Sequence, residues 1–201
     1  MPDAPVSIIF TGLLRDKDMF LRSLDGFRSL PGVQEIILST WEKEAEDNLE
    51  FLTKIVGQYD LTLAAVPEPQ SWSGNMLSQM MSLQIGLRRV PDRALTLLYL
   101  LHPDPWPKNK HAKRRMMNDG PVRMFADKLK PGGEFRFGTD HAVYLRHALM
   151  VMRRFGDAFE WIVDGPASWQ NRPSGWPETR YEHKARTVYG HEVWYFRFRR
   201  R

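Results

Sequence analysis

The sequence has no cysteine in its 201 residues, which excludes a disulfide framework, a thiolate nucleophile and zinc–thiolate coordination, and suits a reducing compartment such as the cytoplasm. Long hydrophobic runs are also missing: none approaches the roughly 20 apolar residues needed to span a bilayer, so no membrane partner is expected. The opening Met1-Pro2-Asp3-Ala4-Pro5 lacks a basic region and the apolar stretch behind it is broken at Arg15-Asp16, so no secretory signal is read there. Internal repeats, low-complexity tracts and flexible linkers are absent, and no acidic cluster with metal-ligand spacing is found, so no metal is expected.

Acidic residues are sparse in one half only. Residues 102 to 201 carry 20 Lys+Arg against 11 Asp+Glu, a net of +9, whereas residues 1 to 101 carry 9 against 13, a net of −4. A polyanion would therefore be met by the second half, where neutralised phosphates release counterions. From charge alone, a solvated basic surface is an equal alternative.

The length suits one α/β domain, residues 1 to 201, and a monomer is the expected state. Apolar, β-branched runs at Val6–Phe10, Glu35–Ser39 and Leu61–Ala65 predict buried strands. Between them, Phe20, Leu21, Leu24 and Phe27, then Leu49, Leu52, Ile55 and Val56, recur at helical spacing and predict helices over 16–29 and 43–59. The alternation continues with a helix at 75–88, a strand at 94–101, a helix at 120–129, a strand at 133–138 and a helix at 142–155, which predicts a parallel sheet covered by helices. Two further strands, at 159–163 and 192–198, have no long helix between them and are expected to pair antiparallel at the sheet edge. Seven strands closing on such a pair resemble the Rossmann-like class I S-adenosylmethionine-dependent methyltransferase fold. The stretch from Asp164 to Val188, rich in Pro, Gly and Trp, is expected to be irregular and functional.

Chemistry concentrates after the fourth strand. His102-Pro103-Asp104-Pro105-Trp106-Pro107-Lys108 has three prolines fixing φ in seven residues, so it is rigid. At the carboxyl end of a strand it should present an acid, an indole and an ammonium to a crevice, suited to a guanine edge, a base face and a phosphate. A proline-rich turn with a capping Asp and a core Trp is the equal alternative. Lys110, His111, Lys113, Arg114 and Arg115 follow, and such crowding favours a bound polyanion over a solvated face. Lys130-Pro131-Gly132-Gly133 reads as a turn into a strand. Asp140, at that strand's far end, reads either as a partner of the Asp104 loop or as the cap of the next helix.

These segments, with Thr179-Arg180-Tyr181-Glu182 and Gly190-His191-Glu192-Val193-Trp194, occur in the order and spacing of bacterial tRNA (guanine-N7)-methyltransferases, and the resemblance covers residues 95 to 201. It implies methyl transfer from S-adenosylmethionine to guanine N7 in tRNA. It further implies that Asp104 is the catalytic acid touching the donor, that Lys108, Asp140, Thr179, Arg180, Tyr181 and Glu182 bind the substrate nucleotide, and that Lys110, His111, Lys113, Arg114 and Arg115 contact tRNA. Tyr181 stands where the family usually has Phe.

The first half departs from that family. Its first strand runs into Thr11-Gly12-Leu13-Leu14-Arg15-Asp16, and the bulky Leu13-Leu14 pair does not offer the open backbone of a glycine-rich donor loop. Glu42 is the one candidate ribose-binding acid, and a solvated helix start is the plainer reading of it. Residues 6 to 87 faintly resemble the start of a lipopolysaccharide-synthesis type glycosyltransferase through Ser7–Gly12, Leu30–Val33, Ile36–Trp41 and Asn75–Gln79, which sets a seam near 87–94. The alternatives to a methyltransferase are thus a catalytically impaired tRNA-binding remnant and a nucleotide-sugar binder.

Overall fold

The computed structural model describes residues 6–11, 17–29, 33–59, 61–66, 87–88, 90–176 and 178–201. The expected donor-loop position at 12–16, most of the helix expected over 75–88, and Pro177 lie outside these. The chain forms two compact units, Met1–Pro91 and Asp92–Arg201, each described by itself.

The first unit holds β1 (Val6–Thr11), α1 (Lys17–Arg28), β2 (Val33–Trp41), α2 (Glu42–Asp47), α3 (Leu49–Tyr59) and β3 (Leu61–Val66). Its three strands are parallel in the order β1-β2-β3. Phe20 and Leu24, one helical turn apart, and Leu52 and Ile55 on α3 close over Ile36 and Leu38 in one core. The single helix expected over 43–59 is instead broken at Asn48, whose carbonyl accepts the amide of Leu52 at 2.9 Å and so starts α3. Asn is a poor helix interior and a good first-turn boundary, which explains the break.

The second unit holds β4 (Leu95–Leu101), a 3-10 turn (Asn109–Arg114), α4 (Asp119–Lys128), β5 (Leu129–Thr139), α5 (Ala142–Arg154), β6 (Phe159–Trp161), α6 (Ala167–Gln170), α7 (Arg180–Thr187) and β7 (Trp194–Arg200). Its strand order is β4-β5-β7-β6. β4 and β5 are parallel, and β7 is inserted antiparallel between β5 and β6, leaving β6 at the edge. The antiparallel pairing of the last two strands is as expected. Two details differ. Lys130-Pro131-Gly132-Gly133 belongs to β5 as an irregularity and not to a turn before it, with Gly132 at φ 81°. The stretch from 164 to 188 contains α6 and α7, short helices with too few periodic apolar residues to announce themselves.

One face of this sheet is aromatic. Phe135 and Phe198, register partners, stack at 6.1 Å, and Phe137 and Phe196 at 6.2 Å. Phe125 of α4 and Tyr144 of α5 close over them at 5.1 and 5.6 Å. The opposite face places Arg136 directly across from Arg197, a like-charge pair that is unfavourable alone. Glu134 reconciles them, accepting from Arg136 Nε at 2.9 Å and Arg197 Nη2 at 2.7 Å. No helix among the described residues is long and apolar enough to cross a membrane.

Burial raises the Glu134 carboxyl, but the bonds from Arg197 and Arg136 outweigh it and hold it below the usual carboxylate range. Its stabilising effect is therefore complete above the unfolded value, about 4.3, and is lost as pH falls through the lower folded value. Replacing Glu134 by Gln should cost about 1–3 kcal/mol at neutral pH and flatten the acid limb, measured by urea unfolding of the full chain across pH.

Candidate active site and nucleic-acid interface

The parallel ladder of β4 and β5 runs to Leu101 opposite Gly138, and the amide of His102 adds one more bond, to the Gly138 carbonyl at 2.8 Å. The loops leaving both strands are thereby held side by side. In the first loop each of His102, Asp104 and Trp106 precedes a proline and is denied the right-handed helical region. His102 and Trp106 adopt positive φ, 50° and 43°, values that L residues hold only when their surroundings impose them. Asp104, between them, is exposed, and partial desolvation alone raises its carboxyl above the usual range.

The imposing group is Arg115. It is 3% exposed, and its Nε donates to the carbonyls of Pro105 and Trp106 at 3.1 and 3.2 Å while Nη2 reaches Trp106 at 2.8 Å. Arg115 was expected to face tRNA. That expectation is corrected, because its guanidinium is buried and already spent on the loop it braces. The rest of the basic run occupies the 3-10 turn, with Lys110 and Lys113 exposed. Arg114 lies with Cζ 5.0 Å from the Trp106 ring centroid, and His111 meets the same ring edge-on at 5.6 Å. Desolvation, then the cations Arg114, Lys110, Lys108 and Lys113, hold His111 below its ordinary pKa, so it is a neutral member of the run at pH 7. Lys108 stays exposed at the end of the loop.

Asp140, in the second loop, does not cap the following helix, which begins after His141 without a side-chain cap. Its carboxylate lies between two histidines, 3.6 Å from His102 Nδ1 and 3.4 Å from His191 Nδ1. The His102 side chain is 2% exposed, and burial, which outweighs the opposing pull of Asp140 and Glu182, keeps its pKa below the ordinary value. The ring is therefore neutral at pH 7.

Thr179 and Glu182 stand three apart as in a capping box. Thr179 Oγ1 accepts the Glu182 amide at 3.1 Å and starts α7. Glu182 is 2% exposed and accepts from Arg172 Nε at 2.8 Å and Tyr195 OH at 2.5 Å. Both residues thus have structural work, while Tyr181 is 69% exposed. Arg180 is the first residue of α7; its side chain lies outside what the structure describes. Sequence spacing gives no sign of the roles of Arg172, Tyr195 and His191. They lie 10 to 51 residues from the carboxylates they meet, and no local pattern pairs groups so far apart. Among the described residues, no group of three or more His, Asp or Glu is placed to hold a metal ion.

Residues 78–195 match the family profile described as "Putative methyltransferase". Over 115 residues, 57% of this chain, the sequence is 89% identical to a tRNA (guanine-N(7)-)-methyltransferase of Erythrobacter litoralis and 78% identical to one of Novosphingobium aromaticivorans. Those stretches are 49% and 48% of the two relatives, so the chain spans about half the length of the curated relatives it matches. A solved structure described as PH0851 superposes on 98% of this chain and 43% of its own, with a TM-score of 0.52 at 11% identity, a likeness of fold alone.

Removing the Arg115 clamp should free the strained loop. Arg115→Ala is expected to speed amide hydrogen exchange across residues 108–114, whereas Arg114→Ala, which removes a surface cation, should leave that exchange near its original rate.

Proposed function

The chain belongs to this methyltransferase family, and we propose that it transfers a methyl group from S-adenosylmethionine to N7 of a guanine in tRNA. Its second unit is α/β with a reversed last strand inside a mixed four-stranded sheet, an arrangement that supports a class I methyltransferase fold. The observation that carries the reading is Asp104: an exposed carboxyl on a proline-locked loop, clamped by Arg115, at the carboxyl ends of two adjacent strands and beside a turn of exposed cations. The sequence similarity to the tRNA (guanine-N(7)-)-methyltransferases includes that loop.

Guanine N7 already holds an in-plane lone pair, so the step needs alignment and charge balance in place of a strong base. S-adenosylmethionine supplies the methyl group on a sulfonium cation. An exposed carboxylate fits such a neighbour, and Asp104 is the residue that would face it. The same carboxylate accepts hydrogen bonds from the guanine edge, and Asp140, Lys108 and Tyr181 complete the nucleotide site, with Tyr181 carried on the helix that Thr179 caps and Glu182 anchors. Lys110, Lys113 and Arg114 hold tRNA phosphates.

Purified chain incubated with tRNA and S-adenosylmethionine should yield 7-methylguanosine on digestion and mass spectrometry; its absence would overturn the enzymatic reading. Salt-sensitive tRNA binding without donor binding by calorimetry would leave an RNA-binding module. Asp104→Ala should abolish methylation while tRNA retention stays nearly intact, and equal loss of both would move Asp104 from chemistry to binding. Because the ionised form is required and its pKa is raised, kcat/KM should begin to fall on acidification at a higher pH than an ordinary aspartate would give. Replacing Lys110, Lys113 and Arg114 by Ala should weaken tRNA binding and reduce the slope of log Kd against log salt by roughly 1 for each phosphate no longer neutralised.

A further inference from the structure

Beyond α7 an aromatic ring stands on the surface with no core to fill. Tyr189 is 59% exposed, its ring centroid 5.5 Å from that of His191 at a tilt of 32°, and Lys184 Nζ lies 5.9 Å from it. The backbone holds this arrangement. The Lys184 carbonyl accepts the amides of Val188 and Tyr189 at 3.0 and 3.1 Å, and the Ala185 carbonyl accepts that of His191 at 2.8 Å. Gly190 takes φ 62° between them, the left-handed conformation that closes a helix and turns the chain back. That turn delivers His191 to Asp140, 3.4 Å away. An exposed phenol ring, an ammonium and an imidazole are therefore fixed beside the carboxylate assigned to the target nucleotide.

Resting on the function proposed above, we infer that Tyr189, with His191 and Lys184, is a stacking subsite for an unpaired base that neighbours the target guanine. Every base has a π-face, so a tyrosine ring accepts one without sequence choice. A paired base does not offer that face, which restricts the subsite to unpaired or splayed nucleotides. The adjacent Lys184 suits the attached phosphate, and the setting is the half of the chain with a net charge of +9. The subsite would select folded tRNA in which the base beside the target guanine is free to unstack.

The test measures binding of the full chain to a tRNA transcript and to an RNA duplex of equal length. Tyr189→Ala should weaken tRNA binding about 5- to 150-fold, the span expected for one stacked base, and leave duplex binding unchanged, while Tyr189→Phe retains tRNA binding. Unchanged affinity in Tyr189→Ala, equal loss on tRNA and duplex, or a Phe variant as weak as the Ala variant would each overturn the subsite alone. Failure of the unsubstituted chain to bind tRNA would instead remove the parent reading, and the subsite with it.

Discussion

The candidate site depends on how closely β4 approaches β5. Parallel pairing brings Leu101 opposite Gly138, and the His102 amide closes the last bond to the Gly138 carbonyl. Two glycines permit this approach. A Cβ on Gly133 would lie 3.0 Å from the backbone carbonyl of Thr96, which cannot swing aside, and one on Gly138 would lie 3.2 Å from Leu101 Cδ2. With the strands that close, the Asp104 loop and Asp140 leave the sheet together, and the buried His102 ring of that loop lies 3.6 Å from the Asp140 carboxylate.

Charge at the site is divided by burial. Arg115 is withdrawn into the protein and stabilises a loop with two residues at positive φ. Glu182 is likewise withdrawn, anchoring α7 to Arg172 and Tyr195. The groups proposed for the ligand stay at the surface, Asp104, Lys108, Lys110, Lys113 and Tyr181 exposed and Arg114 and Asp140 half-buried. Neutral imidazoles at 102 and 111 keep the site from accumulating more positive charge at pH 7. The basic run thus divides into one clamp, one neutral ring and three remaining cations, a partition invisible in a count of basic residues.

The sequence by itself determined the sites of the strands, because β-branched runs read the same wherever they pack. It also determined the rigidity of 102–108, because proline fixes φ locally, and the position of the basic turn, because charge density is a property of the chain. Only the tertiary structure decided that Arg115 is a brace, that Asp140 faces His102 and His191 in place of capping a helix, and that Glu182 is buried against Arg172 and Tyr195. Each of those outcomes rests on contacts between residues far apart in the chain, or on whether a charged group ends up buried. Neither is written into the spacing of neighbouring residues, since burial and long-range contact exist only once β7 has been inserted between β5 and β6.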